Sequence, residues 1–100
     1  MIKYIAEFIG TFIFLSVILN AVAVGSGLAA IAPLAIGIGL IAAICFGGSI
    51  SGGHFNPAVS AMMVLNGSLP STDFIPYVAA QLLGAIAAKT FLDMVLKNNL

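Results

Sequence analysis

Charge is what this sequence has least of. Three basic and three acidic residues occur in 100, or 6%, against about 25% in ordinary globular domains. They are Lys3, Glu7, Asp73, Lys89, Asp93 and Lys97, so no formal charge falls between Glu7 and Asp73. Arginine is absent and the net charge is zero. That excludes the basic patch needed to neutralise phosphates, and with it nucleic acid as a partner. A single cysteine, Cys45, excludes an intrachain disulfide and any CxxC zinc or redox motif. It reads as a small packing hydrophobe. One histidine and no cluster of carboxylates at ligand spacing leave no metal site and no basis for enzymatic chemistry or a cofactor.

What the sequence has is apolar surface: 62% hydrophobic residues and a mean hydropathy of +1.25. A soluble domain this small buries only roughly 60% of what its unfolded chain exposes, so lipid is the natural solvent. Lys3 followed by an apolar stretch invites a signal-peptide reading. Glu7 interrupts it, and the apolar character recurs along the whole chain.

Three segments reach the roughly 20 apolar residues that a spanning helix needs. The first runs from about Tyr4 to Val24 and stops at Gly25-Ser26-Gly27. The second runs from about Leu28 to Phe46, with Pro33 near its start, where a missing N–H costs least. The third runs from about Ser71 to Leu96. Ser71 or Thr72 is suited to cap it, Asp73 suits its first turn and Lys97 its last. Lys89 and Asp93, four apart, share a face on which they could pair, and read first as a solvated helix end. Met62, Met63 and Met94 read as packing residues.

The stretch from 47 to 66 differs. Gly47-Gly48-Ser49-Ile50-Ser51-Gly52-Gly53-His54 is polar and glycine-rich, and an apolar run from Ala58 to Leu65 follows, closed by Asn66-Gly67-Ser68-Leu69-Pro70. That run is too short to span. Asn56 is a good N-cap and Pro57 a good first helical residue, which predicts a short helix from Pro57 to near Asn66. Irregular backbone at membrane depth is tolerated only where it is buried in protein or lines a watery cavity. The expected fold is therefore an all-α membrane protein with three transmembrane helices and one re-entrant half-helix.

Four stretches carry a family resemblance. Ala6-Glu7-Phe8-Ile9-Gly10-Thr11-Phe12 resembles the first-helix AEFxGTF pattern of the aquaporins (major intrinsic proteins). Ser51-Gly52-Gly53-His54-Phe55-Asn56-Pro57-Ala58-Val59-Ser60 is very similar to the first-half loop SGGHxNPAVT. Tyr77 to Gly84, YVAAQLLG, resembles the third-helix pattern, and the second-helix glycines fall where the family has them. The resemblance implies one half of the aquaporin inverted repeat, because the family carries two NPA tripeptides and this chain one.

The site residues follow from that resemblance. Asn56, Pro57 and Ala58 would line the pore, and the carbonyls of Gly52, Gly53, His54 and Phe55 would form a ladder for water, with glycine at 52 and 53 keeping the backbone extended. His54 reads equally as a structural histidine. Glu7 and, likewise, Gln81 would accept hydrogen bonds from the loop backbone. Ile36 and Val59 would form the filter, Val59 standing where the family's second half has arginine. Gly10, Gly37 and Gly84 would permit close helix approach, Gly84 pairing with Ala88.

The implied function is passive passage of water and small neutral solutes such as glycerol, in the plasma (cell inner) membrane. One half gives one pore wall, so the expected partner is a second copy, antiparallel, in a dual-topology homodimer, with several dimers per assembly a further step. The slight Lys bias between the two sides permits both insertions. Two other readings stand beside it: a half-channel subunit that needs a different partner half, and a non-conducting membrane scaffold.

Overall fold

A computed structural model describes residues 1–23 and 25–98 of the chain. Helix α1 (Ile2–Val22), helix α2 (Ala32–Ser51), the short helix α3 (Pro57–Leu65) and helix α4 (Phe74–Asn98) follow in order, with 3-10 turns at Ala29–Ile31 and Ser71–Asp73. Three of the helices are long and apolar enough to cross a membrane. Helix α1 lies between α2 and α4, and α3 rests on α4. Val24, where the sequence places the end of the first span, lies outside the described residues.

Helices α1 and α4 run parallel. The Gly84 Cα faces the α1 backbone so closely that an added Cβ would lie 2.7 Å from the Phe8 carbonyl oxygen and 3.0 Å from Thr11 Cβ. Ala88, one turn on, is buried as well. Further along, the Phe12 and Phe91 rings meet edge to face at 5.9 Å. At the α1–α2 crossing the close approach falls to Gly39, which receives Val17, while Gly37 faces open space. The expected role of Gly37 is thus taken by the glycine two residues on. Period-two glycines on a helix look in different directions, and only the packed partner decides which is needed.

Helix α2 does not stop near Phe46. It continues through Gly47 and Gly48 to Ser51 and is ended by Gly52, whose φ of 91° is left-handed and whose N–H bonds to the Gly48 carbonyl. Gly47 serves packing: a Cβ there would meet the Phe55 ring at 3.2 Å. Ser71 and Thr72 lie inside the 3-10 turn rather than capping α4. Cys45, Met62 and Met94 are exposed on the outside of the unit rather than packed.

The distribution of side chains is that of a protein in lipid. Ile38, Ile41, Leu83 and Ile86 are among many large apolar side chains that face outward, while Glu7, Thr11, Ser60 and Gln81 are almost completely buried. Without a hydrophobic drive between helices in lipid, close backbone approach and buried polar bonds hold such a bundle. Gly84→Ala is therefore expected to cost about 1–3 kcal/mol by overpacking against α1. Gly37→Ala is expected to be neutral or to stabilise by up to about 1 kcal/mol. Reversible unfolding in detergent reads both.

Candidate functional site

The site is built from the end of α2, the loop 52–56 and the N-terminus of α3. Asn56 caps α3: its Oδ1 accepts from the Ala58 N–H at 2.8 Å, and Pro57 is the first helical residue. Asn66 ends the helix, donating its N–H to the Met62 carbonyl at 2.8 Å. The boundaries match the sequence signals because both caps are local chemistry.

Glu7, fully buried, holds the loop. Its Oε1 accepts from the Phe55 N–H at 2.8 Å and the Gln81 Nε2 at 2.9 Å. Its Oε2 accepts from the Ser51 hydroxyl at 2.6 Å and the His54 N–H at 3.1 Å. A carboxylate offers about four acceptor positions, and all four donors come from elements that meet here. Gln81 does not accept from the loop backbone, as expected of it. Its amide donates to Glu7 and to the Ser60 hydroxyl at 2.9 Å, so it ties α4 to the carboxylate and to α3 instead.

The loop backbone is not extended. Gly52, Gly53 and Phe55 have φ of 91°, 67° and 55°. For Phe55 this left-handed geometry costs about 1–2 kcal/mol. Leaving its N–H and that of His54 unpaired would cost about 1–3 kcal/mol each, so the bonds to Glu7 outweigh the strain. The Phe55 ring fills a notch between α1 and α2, where a Cβ on Gly10 would overlap it at 2.0 Å. In a trans peptide the carbonyl points opposite to the following N–H. The N–H groups of His54 and Phe55 face Glu7, so the carbonyls of Gly53 and His54 are directed away from it.

The His54 ring is buried: its Nδ1 lies 2.9 Å from the Ser60 hydroxyl, and it stacks at a tilt on Tyr77 at 5.1 Å. Tyr77 also donates its hydroxyl to the Ser51 carbonyl at 2.7 Å, fastening the end of α2 to α4. Beneath this, the Asp73 carboxylate accepts from Lys3 Nζ and the Tyr4 hydroxyl, each at 2.6 Å. The clamp joins the N-terminal ends of α1 and α4 across about seventy residues of sequence.

Asn56 and Pro57 border a groove of about 400 Å³ with Thr11, Leu15, Gln81 and Leu82 among its walls. Thr11 and Leu15 lie near the middle of α1, so the tip of α3 stands about halfway along the spans. Asn56, Pro57 and Ala58 are exposed there. Val59 and Ile36 are half-buried, on helices that share no packed interface among the described residues.

Three spanning helices and a half-helix whose start is held at mid-span by a buried carboxylate define a membrane protein of the re-entrant-loop class. The sequence profile of the family described as Major intrinsic protein matches residues 1–100, and the chain belongs to that family. It is 44% identical over 89 residues to a glycerol uptake facilitator protein-like 6 of Lactiplantibacillus plantarum, covering 88% of this chain and 41% of that protein. It is 45% identical over 104 residues to an aquaporin Z of Brucella melitensis, covering 93% and 43%. For an aquaporin Z of Rhodopseudomonas palustris the identity is 38%, covering 93% and 41%. The chain thus spans less than half the length of these relatives. No solved structure matches it.

Glu7→Leu strands four donors and is expected to destabilise by about 4 kcal/mol. Lys3→Met removes one half-exposed partner of Asp73, which keeps Tyr4, and should destabilise far less than Glu7→Leu. Hydrogen exchange at the His54 and Phe55 amides should speed up in the first variant and not in the second.

Proposed function

We propose that the chain forms one wall of a passive channel for water and small neutral solutes, in the plasma (cell inner) membrane, and that a second copy in the opposite orientation supplies the other wall. The observation that carries this is the Asn56 cap. Its Oδ1 is turned to the Ala58 N–H, which leaves the NH2 donors free for a solute at the positive end of a helix. That end carries roughly +0.5 of an elementary charge. Two such ends meeting at mid-membrane repel cations and hydronium, and a water that accepts from Asn56 is turned so that it cannot pass a proton along the file. Carbonyls along 52–55 serve as acceptors on the way, those of Gly53 and His54 turned outward because Glu7 holds the following N–H groups.

Relatives named for glycerol uptake and for water support both solute classes. A constriction bordered by Ile36 and Val59 would be apolar and uncharged, which favours weak discrimination between water and glycerol. The antiparallel arrangement follows from the inverted-repeat principle: the two half-helices must enter from opposite sides for their tips to meet.

Liposomes containing only this chain should pass water and glycerol under osmotic challenge, and Asn56→Ala should abolish most of the water flux. Fast water flow with complete exclusion of glycerol contradicts the filter. Crosslinking that yields parallel pairs alone contradicts the antiparallel dimer. Flux that appears only on adding a different half-channel points to a hetero-pair, and no flux in either case points to a scaffold.

A further inference from the structure

Gln81 has one end of its amide engaged and the other free. Its NH2 group donates to Glu7 Oε1 and to the Ser60 hydroxyl, each at 2.9 Å. Glu7 receives donors at both of its oxygens, so turning the amide over would set oxygen against oxygen. The neighbours therefore settle the orientation of the amide and leave Oε1 on its other side. That oxygen has no hydrogen-bond partner among the described residues.

Thr11 is in the same position. A helical threonine commonly bonds its hydroxyl to a carbonyl three or four residues back. Thr11 Oγ1 makes neither that bond nor any other among the described residues. Both residues are only 1% exposed, where an unpaired polar atom is costly. Both line the Asn56 groove. Ser16 Oγ, the remaining buried unpaired side-chain atom among those residues, belongs to a residue outside that lining. Two orphaned atoms in one groove wall, one from α1 and one from α4, call for a common partner.

The chemistry of the pair narrows that partner. Gln81 Oε1 can only accept, whereas the Thr11 hydroxyl can give or take. The partner must donate at Gln81 and is free to do either at Thr11. None of the residues lining the groove is charged, so it must also be neutral. A hydroxyl group meets each requirement. Both atoms are covered within the wall, and turning the one Cα–Cβ bond of Thr11 carries its hydroxyl to another staggered position.

We propose that Thr11 and Gln81 form a subsite for one hydroxyl group, of water or of a small polyol, in the α1–α4 wall of the Asn56 groove. Asn56 brings donors to that groove and Gln81 an acceptor. The subsite deepens the channel reading above, and the test separates the two.

The test uses the full chain in detergent. Oxygen-17 relaxation dispersion counts long-held water molecules. Thr11→Val keeps the side-chain shape, removes the hydroxyl and should hold one fewer; Thr11→Ser should restore the parent count. Glycerol is then added to the parent. Cross-peaks from its methylene protons to the Thr11 methyl, with loss of that water, assign the subsite to a solute hydroxyl. A water that stays assigns it to water. Equal counts in the parent and Thr11→Val, with no glycerol cross-peak, overturn the proposal; a direct Thr11–Gln81 bond gives that result. Where Thr11→Val does not fold, the parent decides alone: neither a long-held water nor a glycerol cross-peak overturns the subsite. Liposome flux is read separately. A parent that passes neither water nor glycerol ends the channel reading, while a water lost in Thr11→Val upholds the subsite.

Discussion

The structure depends on one constraint: backbone that turns around inside a membrane must find its hydrogen bonds within the protein. A spanning helix satisfies itself, but residues 52–56 do not belong to a helix, and lipid offers no substitute for water. Glu7 answers for the loop. It takes the N–H groups of His54 and Phe55 and the side chains of Ser51 and Gln81, so α1, α2 and α4 meet at one carboxylate, and Gln81 extends the link to Ser60 of α3. Much else follows from it. With its N–H drawn to Glu7, Phe55 is left-handed, and its ring needs the bare backbone at Gly10 and Gly47. The Gly53 and His54 carbonyls turn away from the carboxylate.

A second layer stands behind the first. Tyr77 fixes the Ser51 carbonyl, stacks on His54, and meets the Tyr4 ring at 5.9 Å. Tyr4 in turn holds Asp73 together with Lys3. The route from the membrane surface to the half-helix therefore runs through side chains of α1 and α4 that each make a polar bond and an aromatic contact. Hydrogen bonds of this kind between helices contribute modestly one at a time, on the order of 1 kcal/mol. Their weight here comes from converging on one turn of backbone.

Legibility in the sequence followed locality. Spans could be read from length and hydropathy, and α3 from Asn56, Pro57 and Asn66, because capping is decided within a few residues. The glycines were legible as a class but not singly. Gly47 and Gly48 look like a helix stop, yet α2 runs through them, since the Phe55 ring and not the chain conformation requires Gly47. Gly37 and Gly39 cannot be told apart without knowing where Val17 lies. The Lys3–Tyr4–Asp73 clamp joins residues about seventy apart, and no local pattern announces it. Gln81 was recognisable as a member of the site, but its direction was set by Glu7 and Ser60, which no spacing reveals.

The unit is also uneven across its length. The Asp73 clamp, the Glu7 network and the Gly84 crossing all lie in the half nearest the N-terminal ends of α1 and α4. Helix α3 occupies that half and fills it. In the other half no counterpart of α3 is present among the described residues, and the groove beside Asn56 opens there. The order of the first half therefore holds the tip of α3 at mid-span by bonds made wholly within the chain.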